Sequence, residues 1–175
     1  ERTISNALTD ATTDLPNERA FYLILENQLA ECQRKLDRPL TVLAIDIKSF
    51  DEMNQRFGHA SGDRILNFAA NLIKDSLRQM DFFARSTADE FLIVLPTASK
   101  EISHDIITRI QTSFFGNKLK ISDSNSVEIG LNFGWSAFGT DGEDADLLLK
   151  TARLRKSESK SPSSKVLWFP SELVS

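Results

Sequence analysis

Apolar positions change period several times along the 175-residue chain, and each change marks an element. Phe21, Leu25, Leu29, Cys32 and Leu36 recur at helical spacing after Leu15-Pro16-Asn17, which predicts a helix from about Asn17 to Lys35. Arg38-Pro39 breaks it. Leu40 to Ile47 is almost unbroken apolar, the pattern of a strand buried on both faces, and it carries one acid, Asp46, near its end. Ser49 to Phe57 suits a short helix with Ser49 as cap, closed by Gly58-His59. Ser61-Gly62-Asp63 then opens a helix striped by Ile65, Leu66, Ala69, Leu72, Ile73 and Leu77. A short apolar strand, a turn at Thr87-Ala88-Asp89 and a second strand from Phe91 to Leu95 predict a hairpin with Asp89 and Glu90 at its tip.

After a loop at Pro96 to Ser99, Ile102, Ile106, Ile107, Ile110 and Phe114 mark another amphipathic helix. Gly116 to Ser126 reads as a polar connection with a short edge strand at Lys118–Ile121. Val127 to Phe138 alternates as one strand, and Gly139 to Glu143 turns. Ala145 to about Glu158 is helical, Lys160 to Ser164 a polar loop, and Val166 to Phe169 a last strand. Strands interleave with helices, yet two of them form a hairpin. The expected fold is α+β, a central and mostly antiparallel sheet flanked by helices rather than a doubly wound parallel one. Residues 17–170 are expected to form one domain, 1–16 a lead-in from an upstream segment and 171–175 a tail. A chain that begins at Glu1 rather than Met is expected to be part of a longer protein.

Composition narrows the chemistry. The chain is 41% apolar and 26% charged with a net charge of −4, and its 21 basic residues are scattered, which argues against broad DNA binding but leaves room for a local anion pocket. Cys32 stands alone, so neither a disulfide framework nor a thiolate metal cluster is expected. His59 and His104 are too few and too far apart for a zinc site. No apolar run reaches membrane length and no signal peptide is visible, so a cytoplasmic domain is expected.

Asp46 ends a buried strand, and Asp89 and Glu90 sit on a hairpin able to pair beside it. Three carboxylates converging there suit Mg2+, a hard cation that takes oxygen ligands and leaves positions for phosphates. Arg78 and Asp81, at helical spacing across a helix end, offer a planar donor fork and an acceptor for a phosphate or a guanine edge. Plain structural roles are open to the same residues. An acid at a strand end is solvated, an arginine at a helix C-terminus complements the dipole, and Asp81 simply starts a strand. Asn54, Asp63 and His59 taken singly suit caps or surface positions.

Together these segments resemble the GGDEF domain family. Asp10 to Phe21 resembles its D-x-L-T-G-L-P-N-R-x-x-F lead-in, and Asp46 to Asp63 its D-I-D-x-F-K-x-I-N-D-x-x-G-H-x-x-G-D segment. Thr87-Ala88-Asp89-Glu90-Phe91 stands where the signature itself falls. Ile129 to Ser136 resembles the V-T-x-S-I-G-V-A strand, and Leu148 to Ala152 the start of the L-L-x-x-A-D helix. The match runs in order over about residues 10–169. The resemblance implies condensation of two GTP molecules into cyclic di-GMP across a homodimer, the 3′-hydroxyl of one attacking the α-phosphorus of the other. It implies metal binding by Asp46, Asp89 and the Ile47 carbonyl, and a catalytic role for Asp89 and for Glu90 in deprotonation or metal binding. Guanine would be read by Asn54 and Asp63 and phosphate held by Lys160. Arg78-Gln79-Met80-Asp81 matches the family's R-x-x-D inhibitory site, which binds cyclic di-GMP. Such a domain would sit beside a sensor or other signalling domain, in a protein that is itself soluble or membrane-bound.

Departures from the pattern cluster around the phosphates. The signature glycines are Thr87 and Ala88, a β-branched residue and an added methyl expected to crowd the turn. Lys48 replaces the second acid of D-x-D, and Asp51 the lysine of F-K. Ser164 falls on the second basic position after Lys160, and Asp14 on the glycine of L-T-G-L-P. The expected function is therefore a degenerate, nucleotide-responsive GGDEF domain with little or no turnover. Two alternatives stand beside it: a working cyclase with a divergent signature, and a scaffold that binds no nucleotide.

Overall fold

The computed structural model describes residues 7–35, 37–160 and 167–170, the last four by backbone alone. Leu36, Ser164, Val166, residues 1–6 of the lead-in and the 171–175 tail lie outside the described residues. Helix α1 (Glu18–Arg34) begins where Asn17 caps it, accepting a hydrogen bond from the Ala20 N–H. Strand β1 (Leu40–Ile47), α2 (Phe50–Phe57), α3 (His59–Ser76), β2 (Phe82–Arg85), β3 (Phe91–Pro96) and α4 (Lys100–Phe114) follow. Then come β4 (Lys118–Ser122), β5 (Asn125–Glu128), β6 (Leu131–Ala137), α5 (Ala145–Glu158) and β7 (Leu167–Pro170).

Four strands in the order β2-β3-β1-β6, each pair antiparallel, make the central sheet of an α+β fold. Strand β1 sits between two partners and is buried along its whole length, which explains its unbroken apolar run. Alternate residues supply two cores. Leu43, Ile45 and Ile47 face α2, α3 and α4, while Leu40, Val42 and Ala44 face α1 and α5. Strand β6 buries Asn132, Gly134 and Ser136 on one face and sets Leu131, Phe133 and Trp135 against the larger core on the other.

Three local expectations are corrected. Ser49 makes no side-chain cap bond; its backbone is left-handed, with φ at 58°, and the chain swings into α2 on that turn. Helix α3 starts at His59 rather than at Ser61, because Gly58 alone, at φ 89°, ends α2 and turns the chain. The run from Val127 to Phe138 is two strands in different sheets: β5 pairs with β4 and β7, β6 with β1. The alternation continues across Ile129-Gly130, but side-chain period says nothing of which neighbour a strand bonds.

Candidate functional site

The site lies where β1 ends. Asp46 faces Asn132 across the β1–β6 ladder, and the Asn132 Nδ2 donates to Asp46 Oδ1 at 2.7 Å. Both residues are 5% exposed. The β1–β3 ladder stops at Ile45–Phe91. Beyond it the Asp89 carboxylate takes the place of a ladder partner, its Oδ2 accepting from the Ile47 N–H at 3.0 Å. Asp89 thus ties the hairpin tip to the end of β1. Burial pushes the Asp89 carboxyl above its usual range, the Ile47 N–H pulls it partly back, and nearby Asp46 pushes the same way as burial.

The tip closes despite lacking glycine. The Ser86 N–H donates to Glu90 O at 2.8 Å, and Ala88 adopts φ 57°. Arg85 clasps the Ala88 carbonyl and reaches Asp10 Oδ1 at 2.8 Å, so the lead-in and the tip are held together. Asp14, on the glycine position of the lead-in motif, is likewise left-handed at φ 63°. The expected crowding therefore falls on Ala88, whose methyl is carried in a conformation costing about 1–2 kcal/mol, while Thr87 keeps a negative φ. Ala88→Gly is expected to stabilise the domain by about 0.5–1 kcal/mol, the relief exceeding glycine's extra unfolded-state entropy. A shift of the urea midpoint to higher concentration checks this.

Helix α5 and the turn after it bring three cations onto these acids. Arg153 donates to both oxygens of Glu90, with Nη2–Oε1 at 2.7 Å and Nε–Oε2 at 3.2 Å, and it also pairs with Glu18. Lys156 bonds Glu90 Oε2 and lies 3.6 Å from Asp46 Oδ2. Lys160 is 3.0 Å from that same Asp46 oxygen. Burial alone would raise the Glu90 carboxyl, but the hydrogen bonds from Arg153 and Lys156 outweigh it and hold the group below the usual range.

The donor set as folded does not fit a magnesium ion. Asp46 spends one oxygen on Asn132 and the other on lysines, Asp89 is bonded to the Ile47 N–H, and Glu90 is matched by Arg153 and Lys156. Among the described residues no group of three or more His, Cys, Asp or Glu side chains is set to hold a metal.

Beside these acids is a cavity of about 350 Å³ lined in part by Lys48, Asp51, Asp89, Asn132 and Lys160. Lys48 lies along Gly130, where an added methyl would meet its Cδ at 3.0 Å. The first turn of α2, which would suit an anion, carries Asp51 and Glu52. Asn54 projects from α2 onto Gly62; a methyl there would sit 1.8 Å from Asn54 Oδ1. That oxygen is buried without a hydrogen-bond partner, while Asp63, next in sequence to Gly62, is exposed.

Arg78 and Asp81 are not on a helix. Helix α3 ends at Ser76, and the two residues form the turn that follows. They hold each other: Arg78 Nη2 donates to Asp81 Oδ1 and the Arg78 backbone N–H to Oδ2, both at 2.7 Å. Arg78 Nη2 also donates to the Pro96 carbonyl at 2.8 Å.

Glu18, Asn132, Arg153 and Lys156 escaped the sequence reading. A signal for two of them exists. The buried stripe Ala145, Leu148, Leu149, Ala152 continues to Lys156, placing a lysine on the core-facing side of α5. Arg153 follows Ala152, where the family pattern places Asp.

A four-stranded antiparallel sheet between two helical layers, with acids where the central strand meets a hairpin tip, defines an α+β domain with a polar site at one sheet edge. The family described as "Diguanylate cyclase, GGDEF domain" matches residues 7–164. The chain belongs to that family. It is 33% identical over 129 residues to the diguanylate cyclase DosC of Escherichia coli K12, a match covering 74% of this chain and 28% of DosC. The diguanylate cyclase DgcP of Pseudomonas aeruginosa is 34% identical over 128 residues, covering 69% of this chain and 19% of DgcP. The chain thus spans under a third of the length of these relatives. The GGDEF domain of YfiN (TpbB) from Pseudomonas aeruginosa superposes with a TM-score of 0.82 at 32% identity, covering 87% of this chain and 88% of that one.

Proposed function

We propose that this domain is a guanine-nucleotide-responsive module of cyclic di-GMP signalling with little or no cyclase turnover. The observation that carries this reading is the charge balance of the acids. Asp46 and Glu90 are already matched by Lys156, Lys160 and Arg153 of the same chain. Phosphoryl transfer depends mainly on positioning and on neutralising the charge of the reacting phosphates, and here that charge is engaged internally. Guanine recognition is supported by the Asn54 oxygen, which is buried against Gly62 and lacks a hydrogen-bond partner, and by Asp63, the next residue after Gly62 in sequence. Lys48 in the neighbouring cavity suits phosphate, as does Lys160 once it leaves Asp46. Cyclic di-GMP is the proposed ligand of Arg78 and Asp81, which must release each other to hold it. A homodimer and an input domain elsewhere in a longer protein complete the reading.

One observation favours the second reading, a working cyclase using Mg2+ at Asp46, Ile47 and Asp89. The tip closes without glycine and keeps Asp89 at the end of β1. Incubating the domain with GTP and Mg2+ and separating the products by chromatography tests both. No cyclic di-GMP is expected, even at protein concentrations that favour dimers. A product peak lost in Asp89→Ala would establish the cyclase instead. GTP binding that weakens in Asn54→Ala supports the module; binding of neither nucleotide leaves a scaffold.

A further inference from the structure

Lys156 has no reason to be buried except what its ammonium meets. Its residue is 7% exposed, on the face of α5 that packs against the sheet. Gly134 of β6 permits this depth, since a methyl there would come within 2.2 Å of the Lys156 backbone nitrogen. The ammonium bonds Glu90 and lies 3.6 Å from Asp46, so one fixed positive charge bridges a carboxylate of the strand end and one of the hairpin tip. Arg153 and Lys160, three residues before it and four after, close the remaining sides of the same acids.

A magnesium ion needs carboxylate oxygens at about 2.1 Å and tolerates no ammonium among them. The attraction of Asp46 and Glu90 for a dication is spent on Lys156, and the lysine's own charge repels one. We infer that Lys156 is a built-in cation that takes a metal's place between Asp46 and Glu90, so that this chain holds guanine nucleotides without a divalent metal. The nucleotide half rests on the function proposed above; the metal half stands on the ammonium and its two carboxylates.

The test uses Mn2+ alone and GTP with and without metal. The full 175-residue chain is expected to show no saturable Mn2+ binding by electron paramagnetic resonance, and equal GTP affinity in Mg2+ and in EDTA by calorimetry. Lys156→Met keeps the length of the aliphatic stem and removes the charge. It is expected to gain Mn2+ affinity by about tenfold or more and to bind GTP more tightly with metal than without. Lys156→Gln repeats the measurement should the methionine variant fold poorly. Wild-type chain that binds Mn2+ as tightly as either variant, or GTP only with Mg2+, overturns the inference. Absence of GTP binding in every condition strikes the nucleotide reading alone, and the Mn2+ titration still decides the role of Lys156.

Discussion

Gly134→Ala is expected to destabilise the domain by about 3 kcal/mol or more, at the upper end of overpacking costs. The reason is what the methyl would meet. It would lie 2.0 Å from the Ala152 carbonyl oxygen, 2.2 Å from the Lys156 nitrogen and 2.8 Å from the Lys156 Cα. All three are helix backbone, so no side chain can swing aside and α5 as a whole must retreat. That helix buries Leu148, Leu149 and Ala152 against β1 and the α1 side of the core, and retreat would open this packing. By contrast, a methyl at Gly58 or Gly139 meets nothing within 4 Å, and those positions demand glycine only for their left-handed backbone, with φ at 89° in both. Urea unfolding is the measurement. The midpoint should fall by about 1–2 M with little change in slope, as expected for a lost fraction of stability rather than a change in the surface exposed. An unchanged midpoint would mean that α5 rides farther from β6 than the structure has it. Since α5 also carries Arg153 and Lys156, the same variant should loosen their hold on Glu90.

Much of this architecture is written locally. The run from Leu40 to Ile47 announces a central strand because both of its faces are covered, and the stripe on α3 announces a helix because one face is. The helix starts were less legible where the turn is made by backbone alone. Ser49 has the chemistry of a cap but takes a left-handed conformation, and no side-chain rule anticipates that. The join at Ile129-Gly130 was hidden because alternation reports which face is buried, not which strand is next door. The acids of the site were found from their places at a strand end and a hairpin tip. Their partners were not, because a lysine in a helical pattern reads as a solvated face unless its phase is followed. Phase puts Lys156 in register with Ala145, Leu149 and Ala152, and a charged residue at such a position must be paired. Arg153 and Glu18 meet across 135 residues of sequence, a juxtaposition that only the fold supplies. Asn132 was likewise invisible, since an asparagine on the inward face of a strand is informative only once Asp46 is known to lie opposite.

Arg78→Ala is expected to cost about 2–3 kcal/mol of stability, an effect that any binding assay at this pair must take into account. The Asp81 side chain is 0% exposed and that of Arg78 is 22% exposed, so the pair is largely withdrawn from water. Removing the guanidinium leaves the carboxylate enclosed with the Arg78 backbone N–H, at 2.7 Å, and strips a donor from the Pro96 carbonyl at the end of β3. Both losses pull on the turn that joins α3 to β2. The double variant Arg78→Ala/Asp81→Ala should recover part of the loss, because the buried unpaired charge goes with the aspartate. Thermal or urea unfolding of these two variants and of Asp81→Ala alone supplies the coupling. A coupling near zero, with Arg78→Ala as stable as wild type, would mean that the two side chains are independent of each other and already free for a ligand. A large coupling means that the proposed binding of cyclic di-GMP at Arg78 and Asp81 would have to open a bond the fold itself uses. Under the proposed function, affinity at this site would then be set by the difference between two uses of one arginine, and Arg78→Ala would lose binding and stability together. Asp81→Asn then separates them: it removes the charge a ligand would use and leaves an amide oxygen to accept from the Arg78 backbone.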